Sequence, residues 1–278
     1  MRNLSLIVLL GLALAGPAVA DEWKQSYAVG SASELKLSAR DANIFVTGES
    51  TGSIEIHITT NGIEIGEGGL LIMEKQAGDT VMLEIKPARR GFWPRSYQAE
   101  VVIRVPMGTQ LNLHTADGDI DIRSMTATVH LSTGDGNITV KKLEGDLTVS
   151  TGDGNVTASE LVGGIQASTG DGNLEVSGRF SEVDIHTGDG QVDLLVQQGS
   201  QVKAPWNVRT GDGRVTLHLP ADLKADLDLN TGDGHIDLGL PVTVSGRVDK
   251  RIRGSLNGGG ERVQVKTGDG SIILKPLT

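Results

Sequence analysis

Eight aspartates stand at equivalent places in a repeated tetrapeptide. Thr-Gly-Asp-Gly occurs seven times, and a degenerate copy, Thr-Ala-Asp-Gly, begins at Thr115. Hard cations such as Ca²⁺ prefer carboxylate and carbonyl oxygens, and paired carboxylates can act as acid and base on a polysaccharide. These aspartates are therefore candidates for Ca²⁺ binding or for carbohydrate-active catalysis. They are Asp117, Asp135, Asp153, Asp171, Asp189, Asp212, Asp233 and Asp269.

The uniformity of this aspartate column favours structure over chemistry. An active site differs from its surroundings, whereas these aspartates have nearly identical neighbours in the sequence. The favoured interpretation is that each carboxylate accepts hydrogen bonds from its own turn. We therefore predict a protein that is not an enzyme and needs no cofactor. A Ca²⁺-stabilised column and a carbohydrate-active enzyme remain as alternatives.

A second candidate site is a short basic and aromatic segment. The formal net charge of the chain is -10, and three of its eight aromatic residues fall in this segment. Arginine and aromatic side chains are enriched in binding hot spots and also suit anionic headgroups or sugars. The segment either binds an envelope glycan or protein, or covers apolar area at an edge of the fold. Its residues are Arg89, Arg90, Phe92, Trp93, Arg95 and Tyr97.

The remaining polar residues give weaker signals. His114 and His186 occupy the same repeat position four repeats apart, about 19 Å at the strand spacing, so they cannot share a metal ion. We expect the six histidines to face solvent, and the basic stretch from Arg247 to Arg253 to be a solvated strand. No HExxH, GxSxG or phosphate-loop motif occurs, and there is no cysteine. The negative charge argues against nucleic acid as a partner.

The spacing of the tetrapeptide predicts the elements that carry these residues. Five copies, beginning at Thr115, follow one another every 18 residues, and the last three begin 23, 21 and 36 residues after their predecessors. In the four repeats that begin at Thr115, Thr133, Thr151 and Thr169, positions 6, 8, 11, 15 and 17 counted from the Thr are apolar, with Arg179 as the one exception. The pairs 6/8 and 15/17 have the two-residue period of half-buried strands. In the repeat from Thr133 the five are Ile138, Val140, Leu143, Leu147 and Val149.

A fixed period of this size predicts an all-β fold, a parallel β-solenoid (β-helix) of coils of about 18 residues. Successive coils would stack at about 4.8 Å, with glycines providing the positive φ angles of the corners. Exposed rows such as Asn137, Asn155 and Asn173 would then form a long, flat, repetitive surface. An up-and-down β-sandwich is the alternative, because it shows the same alternation.

The chain divides into three parts. Residues 1–20 have the charge, apolar core and small-residue ending of a signal peptide, and their apolar run is shorter than the roughly 20 residues of a membrane span. Residues 21–110 are interpreted as divergent N-terminal coils and a cap, with a first coil near Leu35, and residues 111–278 as the repeat solenoid. We expect export to the periplasm, the cell envelope or the exterior, no transmembrane span in the mature chain, and no disulfides.

Three stretches resemble the bacterial DUF4097 family of exported β-strand repeat proteins, which carries an adhesin label. The sequence Val105-Pro-Met-Gly-Thr-Gln-Leu-Asn-Leu leads into the first repeat, the TxDGxI turns follow, and the run from Gly254 to Leu274 closes the chain. The resemblance implies a solenoid fold and an envelope location, and it brings no catalytic residues. We predict an adhesin-like envelope scaffold or interaction module, whose repeating surface suits glycan, peptidoglycan or another solenoid.

Overall fold

The computed structural model describes residues 21–88, 97–245 and 249–277. The predicted signal peptide lies outside them. The described residues form strands and turns, and no helix among them has the length and hydropathy to cross a membrane. The strands are β1 (Asp21–Ala28), β2 (Glu34–Ala39), β3 (Ala42–Glu49), β4 (Ser53–Asn61), β5 (Leu70–Ala77), β6 (Thr80–Pro87), β7 (Gln98–Pro106), β8 (Gln110–His114), β9 (Ile120–Met125), β10 (Val129–Ser132), β11 (Ile138–Glu144), β12 (Leu147–Thr151), β13 (Val156–Thr169), β14 (Leu174–Thr187), β15 (Val192–Val196), β16 (Trp206–Thr210), β17 (Val215–Leu219), β18 (Ala225–Thr231), β19 (Ile236–Leu238), β20 (Thr243–Val244), β21 (Arg251–Leu256), β22 (Arg262–Thr267) and β23 (Ile272–Pro276).

The strands pair into two ladders that share one core. The first ladder has the order β5-β6-β2-β8-β10-β12-β13-β14-β16-β22-β18-β21-β20. The second has the order β1-β4-β7-β3-β9-β11-β13-β14-β15-β17-β23-β19. The long strands β13 and β14 turn a corner and belong to both ladders, so the sheet is continuous.

Equivalent residues of successive repeats lie over one another. Leu131 pairs with Val149 and Ile138 with Val156, each 18 residues along the chain. The predicted apolar positions of the repeat from Thr133 are buried, at 0 or 1% exposure. Because the repeats pair in parallel, the up-and-down sandwich is wrong and the all-β, solenoid-like architecture is confirmed. The sheet as a whole is mixed, however, because β1, β4, β5, β20 and β21 pair antiparallel near its ends.

The irregular repeat at Arg179 keeps its core by a shift in register. The pairing of β13 with β14 slips by one residue between Ala158 and Leu161 and returns to the 18-residue register between Gly163 and Gly164. The slipped stretch places Phe180 beside Gly163 and leaves Arg179 exposed. Phe180 is 2% exposed and packs edge-on against Trp206, with ring centroids 6.5 Å apart. A one-residue slip therefore substitutes a buried aromatic ring for the missing aliphatic side chain.

The C-terminal coil does not lie at the end of the stack. Strands β22 and β23 insert between the coil of β16 and β17 and the coil of β18 and β19. The chain thus skips one level, forms the outer coil, and returns to fill the gap. Both faces of the last coil are hydrogen-bonded to other coils, and the outer coil is covered on its first-ladder side by antiparallel β21.

The N-terminal end repeats this arrangement. Strands β2 and β3 lie between the coil of β6 and β7 and the coil of β8 and β9. Antiparallel β5 covers β6, and β4 covers β7. The last coil (β22 and β23) and the first coil (β2 and β3) are thus both held inside the stack, whereas β1, which precedes the first coil, lies at the edge of the second ladder beside β4. The two inserted coils are therefore less exposed to fraying than the ends of the stack.

We expect the C-terminal strand β22 to exchange its amide hydrogens as slowly as the central strand β12. Both are held between two parallel neighbours, so both should open only with the cooperative core. Native-state hydrogen exchange followed by mass spectrometry measures this directly, with the edge strand β20 as the fast-exchanging reference. Exchange of β22 at the rate of β20 would contradict the inserted position of the last coil.

Candidate functional site

A buried threonine begins each tetrapeptide corner and joins it to a neighbouring coil. The Thr151 hydroxyl donates to the Gly136 carbonyl oxygen of the preceding coil at 2.9 Å and accepts from the Gly154 amide of its own turn at 3.3 Å. Thr151 is 5% exposed. The same two bonds recur at Thr133, Thr169, Thr187, Thr210, Thr231 and Thr267.

The corner glycines are required by crowding, not by their φ angles. A β-carbon on Gly154 would overlap the Gly136 carbonyl oxygen and lie 2.8 Å from the Thr151 hydroxyl. The expectation of positive φ at this corner is wrong, because the positive-φ glycines of the 18-residue repeats lie at the opposite corner. There Gly145 has φ 143° and Gly163 has φ 149°. Coils can stack closely at the tetrapeptide because its glycines have no side chains.

The aspartate column lies on the outside of this corner, and all eight carboxylates are exposed. Seven of the eight side chains lean toward the first glycine of the neighbouring coil, and the exception is Asp233 of the outer coil. A β-carbon on Gly170, for example, would lie 3.2 Å from Asp153 Oδ1. Within the described part of the chain, no group of three or more His, Asp or Glu residues is placed to hold a metal ion. Ca²⁺ binding by the column stays a prediction.

The asparagine row beside the column is a hydrogen-bond ladder between coils. The Asn155 amide N–H donates to Asn137 Oδ1 at 3.0 Å, and the Asn173 amide donates to Asn155 Oδ1 at 2.9 Å. The row begins with Asn43 and Asp119, which accept from the amides of the following coils in the same way. These exposed side chains are therefore committed through their oxygens to holding the stack.

The aspartate column extends to Asp41, where its environment changes. The Tyr97 hydroxyl donates to Asp41 Oδ2 at 3.0 Å, and Asp41 Oδ1 is buried and accepts no hydrogen bond within the described residues. Desolvation, together with the neighbouring Asp41 carboxylate, raises the pKa of Asp117. Desolvation also raises the pKa of Tyr97, and the charge of Asp41 adds to the effect. The structure thus brings Tyr97 of the aromatic segment to one end of the aspartate column.

The other predicted site residues are dispersed or lie outside the described residues. Arg89, Arg90, Phe92, Trp93 and Arg95 are outside them, so their binding role stays a prediction. Of the histidines, His114, His130, His186 and His235 are exposed, whereas His57 and His218 are half-buried beside Glu22 and Asp193. Arg251 and Arg253 lie on β21, as expected of an exposed strand.

The first ladder presents a nearly uncharged outer face that could not be recognised from the sequence pattern. Its outward residues occupy repeat positions 16 and 18, or pair with residues at those positions where a repeat is longer. Their hydroxyl, amide and imidazole groups therefore line up across strands about 4.8 Å apart. Two of the twelve carry a full charge, against five of twelve at the matching outward positions of the second ladder. We name these residues the polar strip: Asn112, His114, His130, Ser132, Thr148, Ser150, Gln166, Ser168, Asp184, His186, Asn207 and Arg209.

An open groove lies at each end of the polar strip. The N-terminal groove, about 450 Å³, runs along β5, β6, β2 and β8 and exposes Met73 and Met82 at 45% and 36%. The C-terminal groove, about 700 Å³, runs along β18, β20, β21 and β22 and is lined by charged side chains such as Arg251 and Arg253. Both grooves form where antiparallel strands replace the parallel stack.

The stacked coils and their corner define a solenoid-like repeat protein, and the family model agrees. The model described as Toastrack DUF4097 matches residues 32–275. This chain belongs to the Toastrack DUF4097 family. A comparison with proteins of curated function finds no match.

Solved structures of similar fold cover most of the chain at 15% identity. A "putative lipid binding protein" from Parabacteroides distasonis aligns with a TM-score of 0.50, covering 91% of this chain and 96% of that one. A "putative adhesin" from Bacteroides fragilis gives 0.48 with the same coverage. A "putative cell adhesion protein" from Clostridium sporogenes gives 0.33, covering 92% and 99%. At this identity the similarity is one of fold.

Replacing Thr151 by valine should lower the free energy of unfolding by about 1–3 kcal/mol, because the Gly154 amide and the Gly136 carbonyl lose a buried partner. Urea denaturation measures the change. The matched control is Thr148→Val, on the same strand but on the outer face, which should stay within about 0.5 kcal/mol. Equal effects of the two substitutions would contradict a structural role for the corner hydroxyl.

Replacing Asp117 by asparagine should stabilise the protein at pH 7, because it removes a charge beside Asp41. The folded pKa of Asp117 lies above the unfolded value of about 3.9, so the stabilisation from protonation is complete below that value and is lost as the pH rises through the folded pKa. The advantage of the variant in urea denaturation should therefore shrink as the pH falls toward 4. The control is Asp135→Asn, which removes a carboxylate of the same column that does not adjoin Asp41. If the stability of both variants changes with pH in the same way, the interaction between Asp117 and Asp41 is contradicted.

Proposed function

We propose that this protein is a non-catalytic scaffold of the cell envelope that binds a repeating, hydroxyl-rich polymer, such as a glycan, along the polar strip. The observation that carries the proposal is the strip itself. It is an in-register row of hydrogen-bonding side chains, about 24 Å long across six strands, that continues into a groove at each end.

The chemistry of the strip matches that of a sugar polymer. Hydroxyl and amide groups both donate and accept hydrogen bonds, as sugar hydroxyls do. Ser132, Ser150 and Ser168 stand in register on three neighbouring strands, with His114 and His186 at either end of their row. Because the spacing is set by the sheet, a polymer can make the same contact repeatedly, and many weak contacts add up to avidity.

Export and the absence of catalysis are parts of the same proposal. The sequence of residues 1–20 supports export. The aspartate column supports a scaffold because its exposed carboxylates repeat the same surroundings in coil after coil. A Ca²⁺-stabilised column and a carbohydrate-active enzyme remain alternatives to this proposal.

Co-sedimentation with purified, insoluble peptidoglycan and with other insoluble envelope glycans tests the proposed function. We expect the purified protein to sediment with at least one of these polymers. Gln166→Trp places a bulky side chain at the centre of the strip and should weaken binding about tenfold, equivalent to about 1.4 kcal/mol.

The matched control is Thr157→Trp, which changes an exposed residue of the same strand, β13, on the second ladder. Melting temperatures establish that both variants are folded. If the two substitutions weaken binding equally, or if no glycan sediments with the wild-type protein, the polar strip is not the binding surface for such a polymer.

A further inference from the structure

We infer that the C-terminal groove is an anion-binding site that takes the carboxylate or phosphate groups of a charged glycan polymer. This inference rests on the proposed function and specifies the ligand class at one end of the polar strip. Its basis is the side-chain arrangement on β16, β22, β18 and β21.

Register places the charged side chains of these strands on one outer face. Arg209 of β16 pairs with Lys266 of β22, and Lys266 pairs with Asn230 of β18. Asp228 lies two residues before Asn230 on β18, and it is opposite Arg253 of β21. Neighbouring strands are about 4.8 Å apart across the sheet. Arg251, Arg253 and Arg262 line the groove itself, and Arg209 and Lys266 lie on the strands beside it.

The patch has the opposite charge to the molecule that carries it. Three arginines and two carboxylates line the groove, a balance of +1, and Arg209 and Lys266 beside it raise the local balance to +3 in a chain of net charge -10. The lining residues are Arg251, Arg253, Arg262, Asp226 and Asp228. Cations gathered against the overall field of a protein attract anions locally and repel one another when no anion is present.

One of the two carboxylates is already committed to Arg251. Asp228 has an exposed side-chain fraction of 13% and accepts from Arg251 Nε and Nη2 at 3.0 and 2.8 Å. The Arg251 hydrogen bonds, more than the other charges, lower the pKa of Asp228. Arg253 Nε is 3.9 Å from Asp228 Oδ2, at the edge of ion-pair distance. The paired residues form a fixed floor to the groove.

The remaining cations are available to a ligand. The Arg253 side chain is 61% exposed, and Arg262 and Lys266 are also exposed. Within residues 21–88, 97–245 and 249–277, neither Arg262 nor Lys266 forms an ion pair. Asp226 lies opposite Arg262 on the neighbouring strand, but in this part of the structure their side chains do not form an ion pair. Guanidinium groups bind carboxylate and phosphate oxygens through two parallel hydrogen bonds, so Arg253 and Arg262 are the principal ligand-binding residues of the site.

The groove joins the polar strip without a break. Gln264 accepts from Arg209 Nη2 at 3.3 Å, and it lines the groove while Arg209 belongs to the strip. A polymer lying along the strip would therefore enter the groove with its next residues. An acidic group on that polymer would meet the arginines, whereas a neutral polymer would leave them hydrated.

Binding of polygalacturonate, a linear carboxylated glycan, tests the inference against the same polymer with its carboxylates reduced to alcohols. We expect titration calorimetry at low ionic strength to give at least about tenfold tighter binding of the charged polymer, with the difference falling as salt is added. The double substitution Arg253→Gln and Arg262→Gln should abolish this difference and leave the affinity for the reduced polymer unchanged.

The charge-matched control is Arg104→Gln with Arg123→Gln, which removes two arginines from the outer face of the second ladder. It should retain the preference for the charged polymer. Lys266→Gln is a milder second variant in case the double substitution unfolds, and it should reduce the preference without eliminating it.

The inference is overturned if the wild-type protein binds both polymers equally, or if the two double variants lose the preference for the charged polymer to the same extent. Vesicles of phosphatidylglycerol are titrated in parallel. Binding to these vesicles and to neither polymer would also overturn it. A protein that binds both polymers equally through the strip keeps its proposed function and loses only the anion site. A protein that binds neither polymer here and no envelope glycan in co-sedimentation loses both.

Discussion

The constraint on which this structure depends is the close approach of successive coils at the tetrapeptide corner. A threonine hydroxyl there satisfies one buried amide of its own turn and one buried carbonyl of the coil below. The glycine beside it leaves room for that contact. Because a buried polar group without a partner is costly, a coil cannot shift along its neighbour without disrupting the corner. The corner therefore fixes the register that the apolar rows alone would leave free to slip.

Fixed register has consequences on both sides of the sheet. Inside, it lines up aliphatic side chains into one continuous core, as in other solenoids. Outside, it converts residues far apart in sequence into rows of like chemistry: carboxylates at one corner, amides beside them, and hydroxyls along the first ladder. The rows differ in whether their polar groups already bond a neighbouring coil. The asparagine oxygens bond the next coil, whereas the side chains of the polar strip face outward and the grooves at its ends differ in charge.

The regular part of the fold could be predicted from the sequence because its signals are local. The 18-residue period and the apolar positions identify strands, and burial of Ile138 and Val140 follows. Insertion of the last coil could not be predicted, since a 36-residue interval is equally compatible with two coils in sequence order. The role of the threonines was missed although every tetrapeptide begins with one, because an alternation pattern treats a buried polar residue as an interruption. The polar strip could not be predicted because it depends on the pairing register between strands, which the sequence of a single strand does not contain.

Engineered disulfides test the stacking order most directly, because the chain has no native cysteine to interfere. Arg209, Lys266 and Asn230 lie in one row on β16, β22 and β18, with Lys266 in the middle. Cysteines at positions 209 and 266 are then about 5 Å apart, within reach of a disulfide, whereas those at 209 and 230 are about 10 Å apart and beyond it. The structure predicts that the first pair crosslinks under mild oxidation and that the second does not. Crosslinking of the second pair and not the first would show that coils stack in sequence order and would contradict the account.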